Sequence, residues 1–406
     1  MGRNGSNDWK TAQLGDVIEL FDSQRVPLNS RERQERKGEY PYYGAQGVID
    51  HIDGYIFDGR YILVAEDGEN LNSKKLPLAL FATGKFWVNN HAHILRGKPG
   101  VADDTFLLAC LNNADIKPFV TGAAQPKLSQ ANMRQIEIPL PPLPVQRRIA
   151  GILSAYDELM ENSQRRIRLL EAMARAIYRE WFVHFRFPGH EKLPRVASSL
   201  GDIPKDWGVK SIQQFGTVIT GKTPSKANAE FYGDDVPFVK TPDMHGNMFI
   251  LGTNDRLSTA GAESQANKTL PAGSICVSCI GTIGVVSITT EDCQTNQQIN
   301  SVMLANEASR EFLFLRLQDA KQTLENLGAT GATMGNVNKG KFEAMEIVCP
   351  PDDLLARYHR LAEPMFSEIL SLFRQIQNLR RTRDLLLPRL LSGQISLTTK
   401  ENYANA

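Results

Sequence analysis

The sequence predicts an α+β protein with a pseudo-twofold internal repeat: two globular β-rich domains, each followed by a long helix. The two helices are expected to pair as an antiparallel intramolecular coiled coil. Three observations predict this fold class: two segments match without a gap, an apolar stripe follows each, and short β-rich runs precede each. A chain of 406 residues is also long enough to bury two separate cores.

The repeat has one constant offset along the sequence. The two matching segments are residues 121–142 and 330–351, and three short motifs recur between them. These are Thr121-Gly122-Ala123 as Thr330-Gly331-Ala332, Ile136-Glu137-Ile138 as Met345-Glu346-Ile347, and Pro141-Pro142 as Pro350-Pro351. Each pair is separated by 209 residues (330 minus 121). A constant offset indicates that a whole structural unit is present twice.

Apolar residues follow each matched segment at alternating spacings of four and three, which is the pattern of a coiled-coil seam. Both stripes keep the offset of 209 residues, and their polar interruptions are Ser163 and Arg383. A period of 3.5 residues makes a narrow seam for one partner helix, and the simplest partner of each helix is the other. The predicted seam residues are Ile149, Leu153, Met160, Ile167, Leu170, Ile177, Met365, Ile369, Leu372, Ile376, Leu379 and Leu386.

Two further features of the helices bear on their shape and surface. Pro364 and Pro388 should kink or end the second helix locally, because proline lacks the N–H group and clashes with the preceding turn. All basic residues of the two helices are arginines. They form either a solvated flank of the coiled coil or a set of contacts to a partner protein or phosphate.

These patterns divide the chain into six segments. We expect a β-rich domain at 1–143, a helix at 144–187, a Pro- and Gly-rich linker at 188–203, a β-rich domain at 204–349, a distal helix at 350–397 and a tail at 398–406.

Bulk composition excludes few functions. Lys and Arg number 46 against 45 Asp and Glu, a net charge of +1, so any nucleic-acid surface must be local. Five cysteines are too few for a disulfide scaffold and fit a reducing compartment. The N-terminus carries no apolar stretch of the kind found in signal peptides, so we expect a soluble intracellular protein.

A phosphate-binding pattern, G-x-x-x-x-G-K-[ST], occurs at residues 216–223 and would suggest an ATPase. A working phosphate loop runs directly into a helix whose N-terminal amides hold the phosphate. Here Pro224 and a turn-like segment around Gly233 follow instead. We therefore expect no nucleotide hydrolysis by this segment.

Other groups of chemically active residues also favour a structural interpretation. Cys276 and Cys279 suggest zinc, but no second pair of ligands stands at a suitable spacing, so we expect buried thiols and no metal. His51, His91 and His93 include a His-x-His pattern, which is either a metal or acid–base cluster or a polar turn. No nucleophile elbow, kinase set or amino-methyltransferase motif is present, and we expect no catalytic residues and no cofactor.

Local patterns along nearly the whole chain resemble the specificity subunits of type I restriction–modification systems. In the first half the patterns are residues 40–50 (YPYYGAQGVID), 55–59 (YIFDG), 66–68 (EDG), 86–93 (FWVNNHAH) and 138–149 (IPLPPLPVQRRI). In the second half they are residues 221–224 (GKTP), 237–243 (PFVKTPD), 281–284 (GTIG) and 296–300 (NQQIN). The second helix start departs from the pattern, because residues 351–357 (PDDLLAR) lack the Gln-Arg pair.

The resemblance implies a non-catalytic DNA-recognition subunit of a cytoplasmic prokaryotic complex. Each β-rich domain would be a target-recognition domain that reads one half of a bipartite site in double-stranded DNA, and the helices would fix the separation of the halves. Two methyltransferase subunits would bind this chain, and restriction subunits would join through them. Adenine methylation and ATP-dependent cleavage would then reside on those partners, with no role for a membrane.

Reading bases requires side chains that combine donors and acceptors, supported by contacts to phosphate. Candidate DNA-binding residues of the first domain are Arg25, Arg31, Arg33, Arg36, Tyr42, Tyr43, Gln46, Lys74, Lys75, Lys85 and His91. Those of the second domain are Lys222, Lys226, Lys240, Asp243, His245, Lys268, Gln297, Lys339 and Lys341. The alternative function is a protein-interaction scaffold in which the coiled coil recruits partners without DNA specificity.

Overall fold

The structure is a computed structural model, and it describes residues 9–122, 124–329 and 335–397. Ala123 and the segment Thr330-Gly331-Ala332 of the repeat lie outside the described residues, as does the expected tail at 398–406. The chain divides into two compact units. Unit 1 comprises Met1–Glu161 and Gln377–Ala406, and unit 2 comprises Asn162–Ile376.

Unit 1 contains eight strands and five short α-helices among its described residues, followed by the start of a long helix. The strands are β1 (Lys10–Gln13), β2 (Ile18–Leu20), β3 (Lys37–Gly44), β4 (Gly47–Ile52), β5 (Phe57–Ala65), β6 (Ala79–Val88), β7 (Ala92–Gly97) and β8 (Glu137–Leu140). The helices are α1 (Leu14–Val17), α2 (Ser30–Glu35), α3 (Asn70–Ser73), α4 (Asp104–Asn113), α5 (Gln130–Arg134) and α6 (Leu143–Tyr178), the last of which continues into unit 2.

Six strands of unit 1 form one sheet in the order β2-β7-β5-β6-β3-β4. Neighbouring strands are antiparallel except for β3 and β6, which are parallel. The apolar core of the unit includes Phe106 of α4 and Ile62 of β5, and Ile149 and Leu153 of α6 pack into the same cluster. The β-rich part of unit 1 and its adjoining helix therefore share one core.

Unit 2 contains twelve strands in its described residues. They are β9 (Arg195–Ser198), β10 (Gly201–Pro204), β11 (Gly208–Ser211), β12 (Gly216–Thr220), β13 (Tyr232–Val239), β14 (Phe249–Ile250), β15 (Asp255–Leu257), β16 (Ile275–Ser278), β17 (Val286–Thr289), β18 (Gln294–Thr295), β19 (Ile299–Leu304) and β20 (Glu346–Cys349). Its further helices are α7 (Thr241–Met244), α8 (Thr259–Glu263), α9 (Arg310–Asp319), α10 (Lys321–Gly328), α11 (Lys339–Ala344) and α12 (Asp352–Leu391), the last of which ends in unit 1.

The strands of unit 2 form a five-stranded sheet, β12-β19-β16-β17-β14, and a three-stranded sheet, β15-β13-β18. The first four strands of the larger sheet are antiparallel neighbours, and β14 is parallel to β17. The order and directions match β2-β7-β5-β6 with parallel β3 in unit 1. The two units thus contain the same arrangement of strands.

Individual hydrogen bonds confirm the internal repeat. In unit 1 the Leu14 amide donates to the Ile136 carbonyl at 2.8 Å, and in unit 2 the Ile212 amide donates to the Met345 carbonyl at 3.1 Å. The acceptors differ by 209 residues (345 minus 136), the offset found in the sequence. Two short helices repeat the same cap, since Ser129 accepts from the amide of Asn132 and Asn338 from that of Lys341.

The segment expected to be a Pro- and Gly-rich linker, 188–203, contains regular structure. Strands β9 and β10 form an antiparallel hairpin in which Val196 faces Ile203 across the pair. A π-helical turn, Arg179–Val183, follows α6. The Trp207 ring packs against Phe182 and Phe187 around this segment, with ring-centroid distances of 5.9 and 5.5 Å. This aromatic packing explains why a Pro- and Gly-rich stretch is held in place.

Helix α12 continues through both of its prolines and ends at Leu391. Of the two expected effects of proline, a kink or an end, the end is wrong for Pro364, because α12 continues for 27 residues beyond it (391 minus 364). Pro364 is exposed, whereas its neighbours Ala362 and Phe366 are buried at 0% and 3% exposure. Packing of the buried face outweighs the loss of one helical hydrogen bond.

The predicted seam residues lie on the covered faces of the long helices. Ile149, Leu153, Met160, Ile167, Ile369, Leu372 and Ile376 are buried. Leu170, Ile177, Met365, Leu379 and Leu386 are half-buried. Inside unit 2 the Tyr358 hydroxyl donates to the Ala174 carbonyl at 3.3 Å, and Arg166 is bonded to Glu368. Inside unit 1, Arg383 is bonded to Asp157.

Candidate nucleic-acid interface

The β3–β4 hairpin lies at one edge of the six-stranded sheet of unit 1. Its turn consists of Ala45 and Gln46, between the paired residues Gly44 and Gly47. Gly47 has a φ of 120°, a conformation that side chains disfavour and that glycine adopts freely. Gln46 is exposed at the turn. The sequence motif at residues 40–50 thus folds into a short hairpin with a polar tip.

Ion pairs brace this hairpin, and their cations are Arg33 of α2, Arg36 directly after α2 and Lys37 at the start of β3. Arg33 lies 3.3 Å and Lys37 2.6 Å from the Asp50 carboxylate, and Arg36 lies 2.8 Å from Asp53. The hydrogen bond from Lys37 holds the pKa of Asp50 below its usual value, which keeps this carboxylate ionised. The guanidinium groups of Arg33 and Arg36 are therefore committed to holding the hairpin, and they contribute less net charge to a DNA surface than the sequence suggests.

Aromatic and cationic side chains stand beside the hairpin. Tyr40 and Tyr55 have ring centroids 5.2 Å apart, and the Lys85 ammonium lies 4.7 Å from the Tyr55 ring. A hydrogen bond to Tyr55 raises the pKa of Lys85, so this lysine stays charged. Arg36 lies over the Trp87 ring at 4.9 Å. Tyr40 and Tyr55 occur in the family-like motifs but were not among the predicted contacts. Their occurrence in those motifs is the sequence feature that could have indicated them.

Two predicted readers of unit 1 lie inside the domain. Tyr42 is fully buried, and its hydroxyl accepts from the Leu28 amide at 2.8 Å. Arg25 donates to the Ala92 carbonyl at 2.9 Å and pairs with Glu66 at 2.7 Å. Neither side chain has a group left for a base, and we correct the expectation for both. Burial could not be inferred from residue type, since Tyr and Arg are common both in cores and at interfaces.

The remaining predicted residues of unit 1 do not form one group. Arg31 is exposed on α2, and Tyr43 is half-buried against Phe86, with centroids 5.6 Å apart. Lys74 and Lys75 instead line a cavity together with Asp157 and Arg383 of the helices. Lys74 also donates to the Ala114 carbonyl. Arg31, Gln46 and Lys85 therefore belong to the hairpin side of the domain, and Lys74 and Lys75 to the helix side.

The three histidines of unit 1 are not brought together. His93 is buried, with Nδ1 2.6 Å from the Asp22 carboxylate and Nε2 2.8 Å from the Leu128 carbonyl. His91 Nδ1 lies 2.6 Å from Asp67, and His51 is exposed on β4. Across the residues that the structure describes, no three His, Cys, Asp or Glu side chains are grouped to hold a metal ion.

In unit 2, several predicted residues meet at one end of the β13–β18 pair. The Asn296 amide donates to the Val239 carbonyl, which places Lys240 next to Gln297. The Thr223 hydroxyl donates to Gln297 at 2.5 Å, and the Lys222 amide donates to the Thr295 carbonyl. Lys222, Lys240 and Gln297 therefore stand together at the end of this pair.

The same contacts involve backbone amides of the phosphate-loop pattern at residues 216–223. The amides of Gly221 and Lys222 donate to the carbonyls of Ile299 and Thr295, at 3.1 and 2.9 Å. A Cβ at Gly221 would come within 2.2 Å of the Asn296 carbonyl oxygen, so glycine is required here by close packing. No helix follows before a 3₁₀ turn at Ala229–Phe231. The amides that would hold a phosphate are occupied.

Other predicted residues of unit 2 are held by internal contacts. Asp243 is buried and accepts from the amides of Lys240 and Asn254, so we correct the expectation that it reads DNA. Lys240 pairs with Asp255 at 2.5 Å. Lys341 donates to the Leu327 carbonyl and Lys339 pairs with Glu343. Lys226 and His245 are exposed and Lys268 is half-buried.

The paired cysteines are part of the core. Cys276 lies on β16 and Cys279 follows it, and both are buried at 0% and 1% exposure. Burial raises the pKa of the Cys276 thiol to about 12 and that of Cys279 to about 11. Both thiols are therefore protonated at neutral pH, as expected for core residues. In the described residues, no helix is long and apolar enough to span a bilayer.

The same domain is found twice when this chain is compared with protein families. Residues 6–172 and 204–353 each match the type I restriction modification DNA specificity domain. The chain belongs to this family of specificity subunits. Its two matches agree with the repeated framework of units 1 and 2.

Individual relatives cover nearly the whole chain. The type I restriction enzyme HindI specificity subunit of Haemophilus influenzae is 32% identical over 474 residues, which cover 96% of this chain and 100% of the relative. The putative type I restriction enzyme MjaX specificity subunit of Methanocaldococcus jannaschii is 24% identical and covers 97% of this chain and 95% of its own length. The crystal structure of an S subunit from M. genitalium has a TM-score of 0.67 and 12% identity, and covers 96% of this chain and 98% of its own. That likeness establishes a shared fold.

Proposed function

We propose that this chain is the DNA-recognition subunit of a type I restriction–modification complex and that it binds a bipartite target, one half-site per recognition domain. The observation that carries the proposal is the repeated framework, in which Leu14–Ile136 and Ile212–Met345 are the same hydrogen bond in two domains. The framework repeats while its exposed parts differ. Unit 1 presents the β3–β4 hairpin, and unit 2 presents the loop and strand ends around Lys222 and Gln297. Two different surfaces on one scaffold suit two different half-sites.

The domain division proposed from the sequence follows the same logic. Target-recognition domains at 1–143 and 204–349 would read the half-sites, with helical segments at 144–187 and 350–397 between or after them and a linker at 188–203. Phosphate contacts would come from exposed cations such as Arg31, Lys85, Lys222 and Lys226. Their local placement is compatible with a chain whose net charge is only +1.

We also propose that α6 and α12 pair as an antiparallel intramolecular coiled coil and act as the spacer between half-sites. The support is local to each unit. In unit 2, α6 residues 166 and 174 contact α12 residues 368 and 358, so the residue numbers run in opposite directions. In unit 1, Asp157 of α6 pairs with Arg383 of α12. A rigid helical spacer would convert helix length into a fixed distance between the bases that are read.

Two methyltransferase subunits are the proposed direct partners, with restriction subunits joined through them. Each unit offers a cavity where its recognition domain meets the helices. The cavity in unit 1 is about 530 Å³ and is lined by Ala109 and Asn112 of α4. The cavity in unit 2 is about 660 Å³ and is lined by Leu315 and Gln318 of α9, the corresponding helix. Equivalent cavities suit two copies of one partner. The methylation and cleavage chemistry is proposed to reside on these partners.

Salt-dependent binding separates this proposal from a protein-only scaffold. The complex with its modification subunits should bind a target duplex with an affinity that falls steeply with salt, because each phosphate contact releases counterions. Replacing exposed Arg31 with Ala should reduce the slope of log K against log salt by about one unit and weaken all sequences equally. Lys192→Ala, which removes an exposed linker lysine, is the matched control and should leave the slope unchanged. Binding that is weak and independent of both salt and sequence would support the scaffold.

A further inference from the structure

The apolar side chains at the tip of the β3–β4 hairpin are exposed in a way that sheet packing does not explain. Val48 is 46% and Ile49 53% exposed, and they are consecutive residues of one strand. Successive side chains of a regular strand point to opposite faces, so one of the two would ordinarily face the sheet.

A β-bulge accounts for their shared exposure. Tyr42 pairs with Asp50 and Tyr43 pairs with Val48, which leaves Ile49 as an extra residue without a partner on β3. Bulges re-aim side chains and are frequent at the working edges of sheets. A Cβ placed on Gly44 would lie 3.1 and 3.2 Å from Cγ2 and Cδ1 of Ile49, so the isoleucine side chain rests over a position without a side chain. The bulge and this glycine fix the direction of Ile49.

The hairpin is held rigidly from behind. Asp50 of β4 pairs with Arg33 of α2 and with Lys37 at the start of β3, and Tyr42 anchors β3 through its bond to Leu28. Trp87, on the strand parallel to β3, donates from Nε1 to the Val26 carbonyl at 2.6 Å. The turn is only two residues long. An apolar tip on a rigid support can enter a groove without a cost for ordering it on binding.

The polar group at the tip has no internal role. Within the described part of the chain, the Gln46 side chain makes no hydrogen bond, and it is exposed beside Val48. A glutamine amide offers one acceptor and two donors, which match N6 and N7 of adenine in the major groove. Apolar side chains match the C5 methyl of thymine. The hairpin tip therefore presents the chemistry for both bases of one A·T pair.

The size of the β3–β4 hairpin and the charges beside it also fit the major groove of DNA. The major groove of B-form DNA is about 12 Å wide and admits a two-stranded β-ribbon. Lys85 lies to one side of the hairpin with Tyr55, and Arg31 is exposed on α2, with 89% of its side chain accessible. These cations can contact phosphates, while the tip itself, residues 45–49, carries no charged side chain.

Resting on the proposed function, we infer that the β3–β4 hairpin enters the major groove and reads an A·T pair of the half-site bound by unit 1. Gln46 contacts the adenine, and Val48 and Ile49 contact the thymine methyl. The hairpin determines specificity at this pair, and the neighbouring cations position it.

The experiment uses the complex with its modification subunits and duplexes in which each thymine of the target is replaced in turn by uracil, which removes only the C5 methyl. One thymine of the unit 1 half-site should lose about fourfold in affinity, the value expected for one buried methyl group. That loss should vanish in Ile49→Ala or Val48→Ala. Val196→Ala, a valine 40% exposed on hairpin strand β9, is the control and should retain the loss.

A second variant tests the adenine contact. Gln46→Ala should reduce discrimination at the same base pair by roughly 5- to 150-fold, the range for a bidentate contact, and leave the other half-site unchanged. Gln135→Ala, at another exposed glutamine, should change nothing. Unchanged base and methyl preferences in all hairpin variants would overturn the inference. If exchange of residues 204–349 still altered one half-site in that case, the proposed function would stand without it.

Discussion

The Arg383 guanidinium of α12 lies 2.5 Å from the Asp157 carboxylate of α6, inside unit 1. Arg383 interrupts the apolar stripe of its helix, and the ion pair explains how a charged residue is tolerated there. The side chain of Arg383 is 29% exposed and that of Asp157 is 58% exposed, so water screens the pair. Its value is expected to lie in orienting the two helices more than in stabilising them.

Reversing the charge at position 383 tests the ion pair between Arg383 and Asp157. Arg383→Asp places a carboxylate beside Asp157 and Asp384 and should lower the free energy of unfolding by about 1 kcal/mol. The double change Arg383→Asp with Asp157→Arg should recover at least half of the loss, measured by urea unfolding. Arg381→Asp, at an exposed position of the same helix, is the control. Equal losses for Arg381→Asp and Arg383→Asp would rule out a specific pairing.

A core residue of α6 should be more sensitive than any surface residue of that helix. Leu153 is 5% exposed and packs into the core of the first recognition domain. Leu153→Ala should destabilise unit 1 by about 2–5 kcal/mol, since it removes buried methyl groups and leaves a cavity. Leu169→Ala, at a leucine 59% exposed on the same helix, should change the stability by less than about 0.5 kcal/mol. Similar unfolding midpoints for the two variants would contradict the shared core.

The buried Glu311–His359 pair predicts a pH dependence in unit 2. Glu311 is 1% exposed, and its carboxylate lies 2.6 Å from His359 Nδ1. Burial raises the pKa of Glu311 above its usual 4.5, although the hydrogen bond from His359 works in the opposite direction. The folded chain therefore holds this proton to a higher pH than the unfolded chain. The associated stability is complete below pH 4.5 and is lost as the pH rises through the raised pKa.

Glu311→Gln removes the charge that burial disfavours. Its unfolding midpoint, compared with that of the unmodified chain, should rise as the pH increases from about 4.5 through the raised pKa of Glu311 and then level off. Glu307→Gln, at a glutamate 80% exposed on the preceding turn, should show no such trend. A difference between Glu311→Gln and the unmodified chain that stays constant from pH 4 to 8 would show that burial of the carboxylate does not set its pKa.

The sequence predicted the repeat and the helices because both depend on patterns that the chain displays directly. The offset of 209 residues reappears as equivalent hydrogen bonds, and the predicted seam residue Ile369 is fully buried. The spacing of apolar residues predicts which face of a helix is buried, so this part of the structure can be inferred from the sequence. The sequence also indicated a distal helix at 350–397, but it left open whether Pro364 would kink or end that helix, since the outcome depends on packing of the buried face.

The candidate DNA surface was less predictable because residue type does not tell whether a polar group is already satisfied. Arg25 and Asp243 have the chemistry of base readers, but neighbouring backbone groups use it. Conversely, Ile49 carries no polar group, and only the pairing of Tyr42 with Asp50 and Tyr43 with Val48 shows that a bulge exposes it. Register between strands is a tertiary property that a single sequence does not specify.

Reciprocal domain exchange tests the central claim most directly. Residues 204–349 would be replaced by the recognition domain of another specificity subunit, and in a second chimaera residues 1–143 would be replaced. Each would be assembled with the cognate modification subunits, and adenine methylation would be mapped across a genome. The account predicts that each exchange changes one half-site, a different one in each chimaera, while the other half-site and the spacing are retained. A change of both half-sites, or of neither, in complexes that still methylate DNA would contradict it.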